Sequence, residues 1–203
     1  MDVSWTTFAG IALGIGLAAA TGFRVFVPLL IAGLAARFGE LPLSEHFQWL
    51  ASAPALVMLG TAAAAEILAY YIPGVDHLLD LIASPATLVA GVVASAAVMT
   101  DLPPSVLWPV AIIGGGGIAG LTKGSSAVIR AKSGVMTGGL GNPLVSTAET
   151  IGATGLALFA IALPVIALML ILVVLVWVVR KTGRLLFGIK STATPQSPGA
   201  AGN

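Results

Sequence analysis

Residues 151–179 read IGATGLALFAIALPVIALMLILVVLVWVV, and from Ile151 to Val179 there is no ionisable side chain. About 20 apolar residues cover the hydrocarbon core of a bilayer. This stretch alone is therefore long enough to cross one. The rest of the chain agrees. Only 8% of its 203 residues are charged and 58% are hydrophobic, against about 25% charged in soluble domains. Mean hydropathy is +1.05. So few polar groups cannot cover a water-soluble domain of this size. The expected fold class is an all-α polytopic integral membrane protein.

Working outward, the apolar run extends from Leu144 to Val179. That is about 36 residues, or roughly 54 Å of helix, against a core of about 30 Å. Three readings fit: Pro164 kinks one long helix, a buried half-helix leads into the last span, or Pro164 marks a tight hairpin between two spans. Arg180, Lys181, Arg184 and Lys190 follow. By the positive-inside rule they place the C-terminal end in the cytoplasm, at a bacterial inner membrane. The basic stretch Lys123 to Lys132 would also prefer the cytoplasm, which favours the hairpin. Residues 1–190 are expected to form a single transmembrane domain, and Ser191 to Asn203, rich in Ser, Thr, Pro and Gly, a disordered tail.

The start, Met1-Asp2-Val3-Ser4-Trp5, lacks the basic region of a cleavable signal, so the first apolar segment, Phe8 to Ala36, is expected to stay in the membrane. Thr21-Gly22-Phe23-Arg24 interrupts it, and Pro28 supports a break nearby. Arg37 to Leu50 is a polar connector able to lie along the interface. A second span runs from Pro54 to Ile72, with Ser52 as its cap. Ser84-Pro85 is read as the start of a third, Ala86 to Met99, and Asp101-Leu102-Pro103-Pro104 as a tight turn. A fourth, Val106 to Leu121, contains Gly114-Gly115-Gly116-Gly117, which lets another backbone approach closely. Thr122 to Asn142 is read as a basic, glycine-rich connector touching anionic headgroups. Five to seven transmembrane or re-entrant helices result. An internal inverted repeat is expected from two landmarks, residues 17–22 with Arg24 and residues 118–124 with Lys123. Trp5, Trp49, Trp108 and Trp177 fall near segment ends, as an aromatic belt would.

The runs Gly22-Phe23-Arg24-Val25-Phe26-Val27-Pro28-Leu29-Leu30, Glu66-Ile67-Leu68-Ala69-Tyr70-Tyr71-Ile72-Pro73-Gly74-Val75-Asp76, Asp80-Leu81-Ile82-Ala83-Ser84-Pro85-Ala86 and Gly139-Leu140-Gly141-Asn142-Pro143-Leu144-Val145-Ser146 resemble the DUF4126 family of bacterial membrane proteins. The similarity extends from about Gly10 to Pro164. It implies a small polytopic membrane protein and supplies no activity.

The few charges within apolar segments carry the functional reading, because each costs about 2.5–3.5 kcal/mol at mid-membrane on insertion scales. Glu66 lies inside the second span, and Arg24, at the break in the first, is its natural partner. Glu149 lies about two turns inside the helix that Asn142-Pro143 opens. If Asn142 caps a buried half-helix, the free backbone N–H groups there can bind a polar solute. Asp76 and Asp80, four apart beside His77, would share one helix face. They are a candidate site for a divalent cation. Thr122-Lys123-Gly124-Ser125-Ser126 mimics part of a phosphate-binding loop but lacks its upstream glycine and strand-to-helix setting. No cysteine is present, which excludes disulfides, thiolate metal sites and cysteine nucleophiles. A net charge of +1 offers no field for nucleic acid.

These residues point to a small secondary transporter or channel for an ion or small polar solute, with proton coupling through a desolvated carboxylate. Arg24, Glu66, Asn142 and Glu149 would line the pathway, and a homodimer or higher homo-oligomer in the lipid bilayer would enclose it. Two alternatives stand beside this: a membrane enzyme acting on a lipid or lipid-linked phosphate through a metal at Asp76 and Asp80, and a non-catalytic assembly subunit.

Overall fold

The structure is a computed structural model that describes residues 4–72 and 75–187, excepting the side chains of 75–81, 178–179 and 181–187. It is all-helical among the described residues. Helices α1 (Trp5–Thr21) and α2 (Phe26–Arg37) precede a 3-10 helix (Glu45–Ala51). Then come α3 (Ala53–Ala69), α4 (Val75–Val98), α5 (Pro104–Val110), a π-helical turn (Ala111–Gly116), α6 (Gly117–Thr137), α7 (Asn142–Ala162) and α8 (Pro164–Phe187).

The helix starts follow local chemistry. Ser4 caps α1 by accepting from the Thr7 N–H at 3.2 Å, and Ser52 caps α3 through the Ala55 N–H, with Pro54 in the first turn. The expected cap at Ser52 is thus present. Gly22 ends α1 where a Cβ would lie 2.3 Å from Thr122 Cβ and 2.7 Å from the Ala119 carbonyl oxygen. Only a glycine lets the α1–α2 turn lie against α6 at that distance.

The contacts fix the helix directions. At one end, the Ser44 N–H donates to the Ala97 carbonyl at 2.8 Å, and Gly10 faces Val98. At the other end of α1, the Val25 N–H meets Glu66 near the end of α3. So α1 runs one way, α2 returns, α3 runs out again and α4 returns. Gly115 lies against Gly91 and Ser95, and further along Thr122 meets Gly22, so α5–α6 runs parallel to α1. Gly152 faces Phe23 and Ala160 faces Gly16, so α7 returns. Ala167 of α8 also faces Gly16, while Leu170 to Trp177 share a cavity with Phe23 and Ile129. The chain therefore doubles back at Leu163-Pro164. Of the three sequence readings of 144–179, the hairpin is the one adopted.

Three boundaries differ from the sequence reading. The helix expected to start at Ser84-Pro85 starts at Val75 and runs through Pro85. The expected connector Thr122 to Asn142 is helical to Thr137, because α5, the π turn and α6 form one continuous run. Two of its glycines are packing sites: Gly115 and Gly116 are buried, and Gly115 lies against Gly91 and Ser95 of α4. The glycine-rich face is thus used within the protomer. Finally, Asn142 is not the cap of α7. Gly141 occupies that position without a side-chain bond, and Asn142 is the first helical residue.

By length and composition two helical stretches can cross a membrane, Pro104–Thr137 and Asn142–Ala162. The 3-10 helix and α3, bent by 66° at their junction, add a third if taken together. Trp5–Thr21, Phe26–Arg37, Ile82–Val98 and Pro164–Trp177 are shorter apolar helices. Polarity is distributed inside out. The interior holds alanines with Thr21, Arg24, Ser95 and Ser146, while Val57, Met58, Ile113, Ile151 and Val173 lie exposed on the outside.

Candidate functional site

Two helix faces carry the site. On α6 the buried positions are Ala119, Lys123, Ser126 and Arg130. On α7 they are Asn142, Ser146, Glu149, Ala153, Ala157 and Ala160. Both sets are spaced by three and four residues, the period of one helix face. The α1–α2 turn, with Arg24 wholly buried, lies alongside them, as does the end of α3 with Glu66 and Tyr70.

Glu149 is the hub. Its carboxylate accepts from the Ser126 hydroxyl and the Arg130 guanidinium, and Arg24 Nη2 lies 3.8 Å away. Arg24 anchors on α7: Nη2 donates to the Ser146 carbonyl at 2.8 Å and to its hydroxyl, and Nε donates to Thr150 Oγ1 at 3.1 Å. Arg24 Nη1 is buried with no hydrogen-bond acceptor among the described residues. The Tyr70 ring lies against both guanidiniums, 4.3 Å from Arg24 Cζ and 4.4 Å from Arg130 Cζ. Its hydroxyl oxygen accepts from Lys123 Nζ at 3.1 Å. Desolvated cation–π contacts of this kind are worth about 2 kcal/mol or more.

Glu66 has another task. Its two carboxylate oxygens accept from the Val25 N–H at 2.8 Å and the Phe26 N–H at 3.1 Å. These are the orphan donors at the start of α2, so α3 caps α2 from outside. The expected Arg24–Glu66 pair does not form. Arg24 pairs with Glu149, because the turn aims its side chain at α7 while the backbone of the same turn faces Glu66.

Arg24, Glu66 and Glu149 are therefore brought into one buried neighbourhood. Asn142 lies on the same face of α7, two turns before Glu149, and is buried. Sequence reasoning missed Lys123, Arg130, Ser126, Ser146 and Tyr70. Lys123 and Arg130 were assigned to a headgroup-facing loop, yet both are buried. The available signal was the 4-3-4 spacing of Ala119, Lys123, Ser126 and Arg130 on one helix face. Asp76 and Asp80, the expected cation site, fall in the first turns of α4, and their side chains lie outside the described residues. Among the described residues, no three His, Asp or Glu side chains gather to hold a metal.

The family described as "Domain of unknown function (DUF4126)" matches residues 11–184. The chain belongs to this family. The DUF4126 match contains every residue of the charge cluster, from Arg24 to Glu149. No curated protein and no solved structure matches the chain.

Proposed function

We propose that this protein is a small membrane transporter or channel for an ion or small polar solute, and that its path passes the cluster of Arg24, Tyr70, Lys123, Arg130 and Glu149. The reading rests on one observation. Arg24, Lys123, Arg130, Glu66 and Glu149 are each less than one-tenth exposed, yet they meet in the interior of an otherwise apolar helix stack. Each charge costs about 2.5–3.5 kcal/mol at mid-membrane. Pairing offsets part of that cost, and replacement of a buried ion pair by apolar residues is often neutral or stabilising. A cluster of this size is better explained by a use than by stability. Arg24 Nη1, buried without an acceptor among the described residues, is a donor still open to a solute oxygen.

In this proposal α1, α2, α3, α4, α5–α6, α7 and α8 form seven alternating membrane segments of a bacterial inner-membrane protein. Arg180 and the basic residues after it lie on the cytoplasmic side. The α6–α7 turn shares that side, with Lys132. Trp5, Trp49 and Trp108, at the opposite end, mark the other interface. The cluster then sits in the cytoplasmic half of the bilayer. The two landmarks, Gly22 at the end of α1 and Thr122 within α6, belong to helices that run the same way, so a repeat relating them would be parallel rather than inverted. A homo-oligomer remains part of the proposal, with the outward apolar faces as its contact.

Flux into proteoliposomes tests the reading. Proton uptake under an imposed pH gradient, potassium uptake and chloride uptake are measured with trapped fluorescent reporters. Protein-dependent flux of one of these, lost in Arg24→Gln and in Glu149→Gln, supports it. Flux that is the same in wild-type and both folded variants contradicts it. Proton flux that persists in Glu66→Gln removes Glu66 from the proton path.

A further inference from the structure

A cavity of about 400 Å³ lies between α1, α6, α7 and α8. This is within the range of about 300–1,000 Å³ for small-ligand sites. Its wall is apolar and includes Phe23, Leu156, Leu170 and Val174. Leu170 and Val174 are each 50% exposed, so the cavity opens sideways onto the apolar outer face of the helices. Its polar lining is Thr122, Ser125 and Ser126. Ser126 is 4% exposed, and its hydroxyl donates to Glu149, the carboxylate that Arg130 and Arg24 hold. One buried serine thus joins a hydrocarbon-lined chamber to the charge cluster.

We propose that this cavity holds the hydrocarbon chain of a single-chain amphiphile, with its polar head at Ser126 and the cluster behind it. A water-soluble solute would leave its polar groups unpaired against Phe23, Leu156, Leu170 and Val174. A purely apolar molecule would place hydrocarbon against the Ser126–Glu149 bond. An amphiphile whose head carries a hydroxyl satisfies both ends, since that O–H can donate to the Ser126 oxygen while the Ser126 proton stays on Glu149, and a sideways opening admits it from the bilayer. The site stands whether or not the protein moves an ion, so flux and lipid binding fail separately.

The test uses the full chain in lipid nanodiscs and palmityl alcohol carrying a photoactivatable diazirine near its chain end. Labelled residues are mapped by mass spectrometry. Label is expected to concentrate on Leu156, Leu170 and Val174 and to saturate near about one per protomer. Ser125→Phe from α6 and Ala19→Phe from α1 each put a bulky ring into the chamber, and either should lower labelling about tenfold, equivalent to ~1.4 kcal/mol of affinity. Ser126→Ala, which leaves the chamber open, should weaken labelling by the alcohol while sparing a diazirine alkane of equal length. Even labelling of the cavity and of outward residues such as Val57, Met58 and Ile112 overturns the proposal. So does full labelling in both filled variants that retain the wild-type unfolding midpoint, or a crosslink joining two copies across the opening.

Discussion

Glu66 and Glu149 are both buried carboxylates, but their surroundings predict different losses on substitution. Glu66 satisfies two backbone donors at the start of α2. Hydrogen bonds to a charged group contribute about 1.5–3 kcal/mol, and unsatisfied donors add a penalty. Glu66→Ala is therefore expected to destabilise by at least ~2 kcal/mol, and Glu66→Gln by less, since its amide oxygen still accepts. Unfolding midpoints in a mild detergent check the order; equal midpoints for all three proteins would sink the cap assignment. Tyr70 permits a cleaner dissection. Tyr70→Phe keeps the ring against both guanidiniums and loses the hydroxyl that accepts from Lys123, a loss of about 1 kcal/mol per hydrogen bond. Tyr70→Leu loses the stacking as well and should cost roughly 2 kcal/mol more. Similar midpoints for the two variants would contradict the stacked arrangement. At this scale much was legible before the fold was known. Arg24, Glu66 and Glu149 stand out because an isolated charge in an apolar run is costly. Tyr70 does not stand out, because a tyrosine near a helix end reads equally well as an interface residue.

At the scale of elements, glycine meant two different things. In Gly114-Gly115-Gly116-Gly117 the sequence suggested close packing, and Gly115 meets α4 so closely that a Cβ would lie 2.2 Å from Ser95 Oγ and 2.7 Å from the Gly91 carbonyl. Gly117 has nothing within 4 Å of that position. Gly115→Ala is thus expected to destabilise by about 1–3 kcal/mol through overpacking, whereas Gly117→Ala should be neutral or stabilise by up to ~1 kcal/mol through helix propensity. Thermal unfolding of the two single variants checks this. Destabilisation by Gly117→Ala equal to that by Gly115→Ala would contradict the packing. The glycines after Leu121 misled for the same reason. In water they would weaken a helix, so Thr122 to Asn142 read as loop, and two cluster residues went with it. Pro85 misled in the opposite direction. It lacks an N–H and so resembles a helix start, yet α4 carries it inside. The end of the chain was ambiguous on length alone. Contacts of both Ala160 and Ala167 with Gly16 decide for a hairpin.

For the molecule as a whole, the absence of cysteine makes topology directly testable. Single cysteines at Ser44 and at Gly138 lie at opposite ends of the proposed seven-segment bundle. An impermeant thiol reagent added to intact cells should label the Ser44→Cys protein, and the Gly138→Cys protein only after permeabilisation. Labelling of both from one side contradicts the alternating topology. That the chain folds as apolar helices was readable from composition and patterning, with 8% charge and no strand among the described residues. What holds its interior together was not readable, because it depends on which helix faces meet, and that is set by small-residue contacts far apart in sequence.

Arg130 and Glu149, with Arg24 beside them, form one buried network and are not separate surface charges. A double-mutant cycle on Arg130→Gln and Glu149→Gln, read as unfolding free energy in lipid nanodiscs, tests it most directly. Removing one partner of a buried pair costs about 3–5 kcal/mol, so each single variant should fall by that order. The double variant should then be less destabilised than the sum by about 1–3 kcal/mol. Single effects near zero, or additivity within ~0.5 kcal/mol, would contradict it.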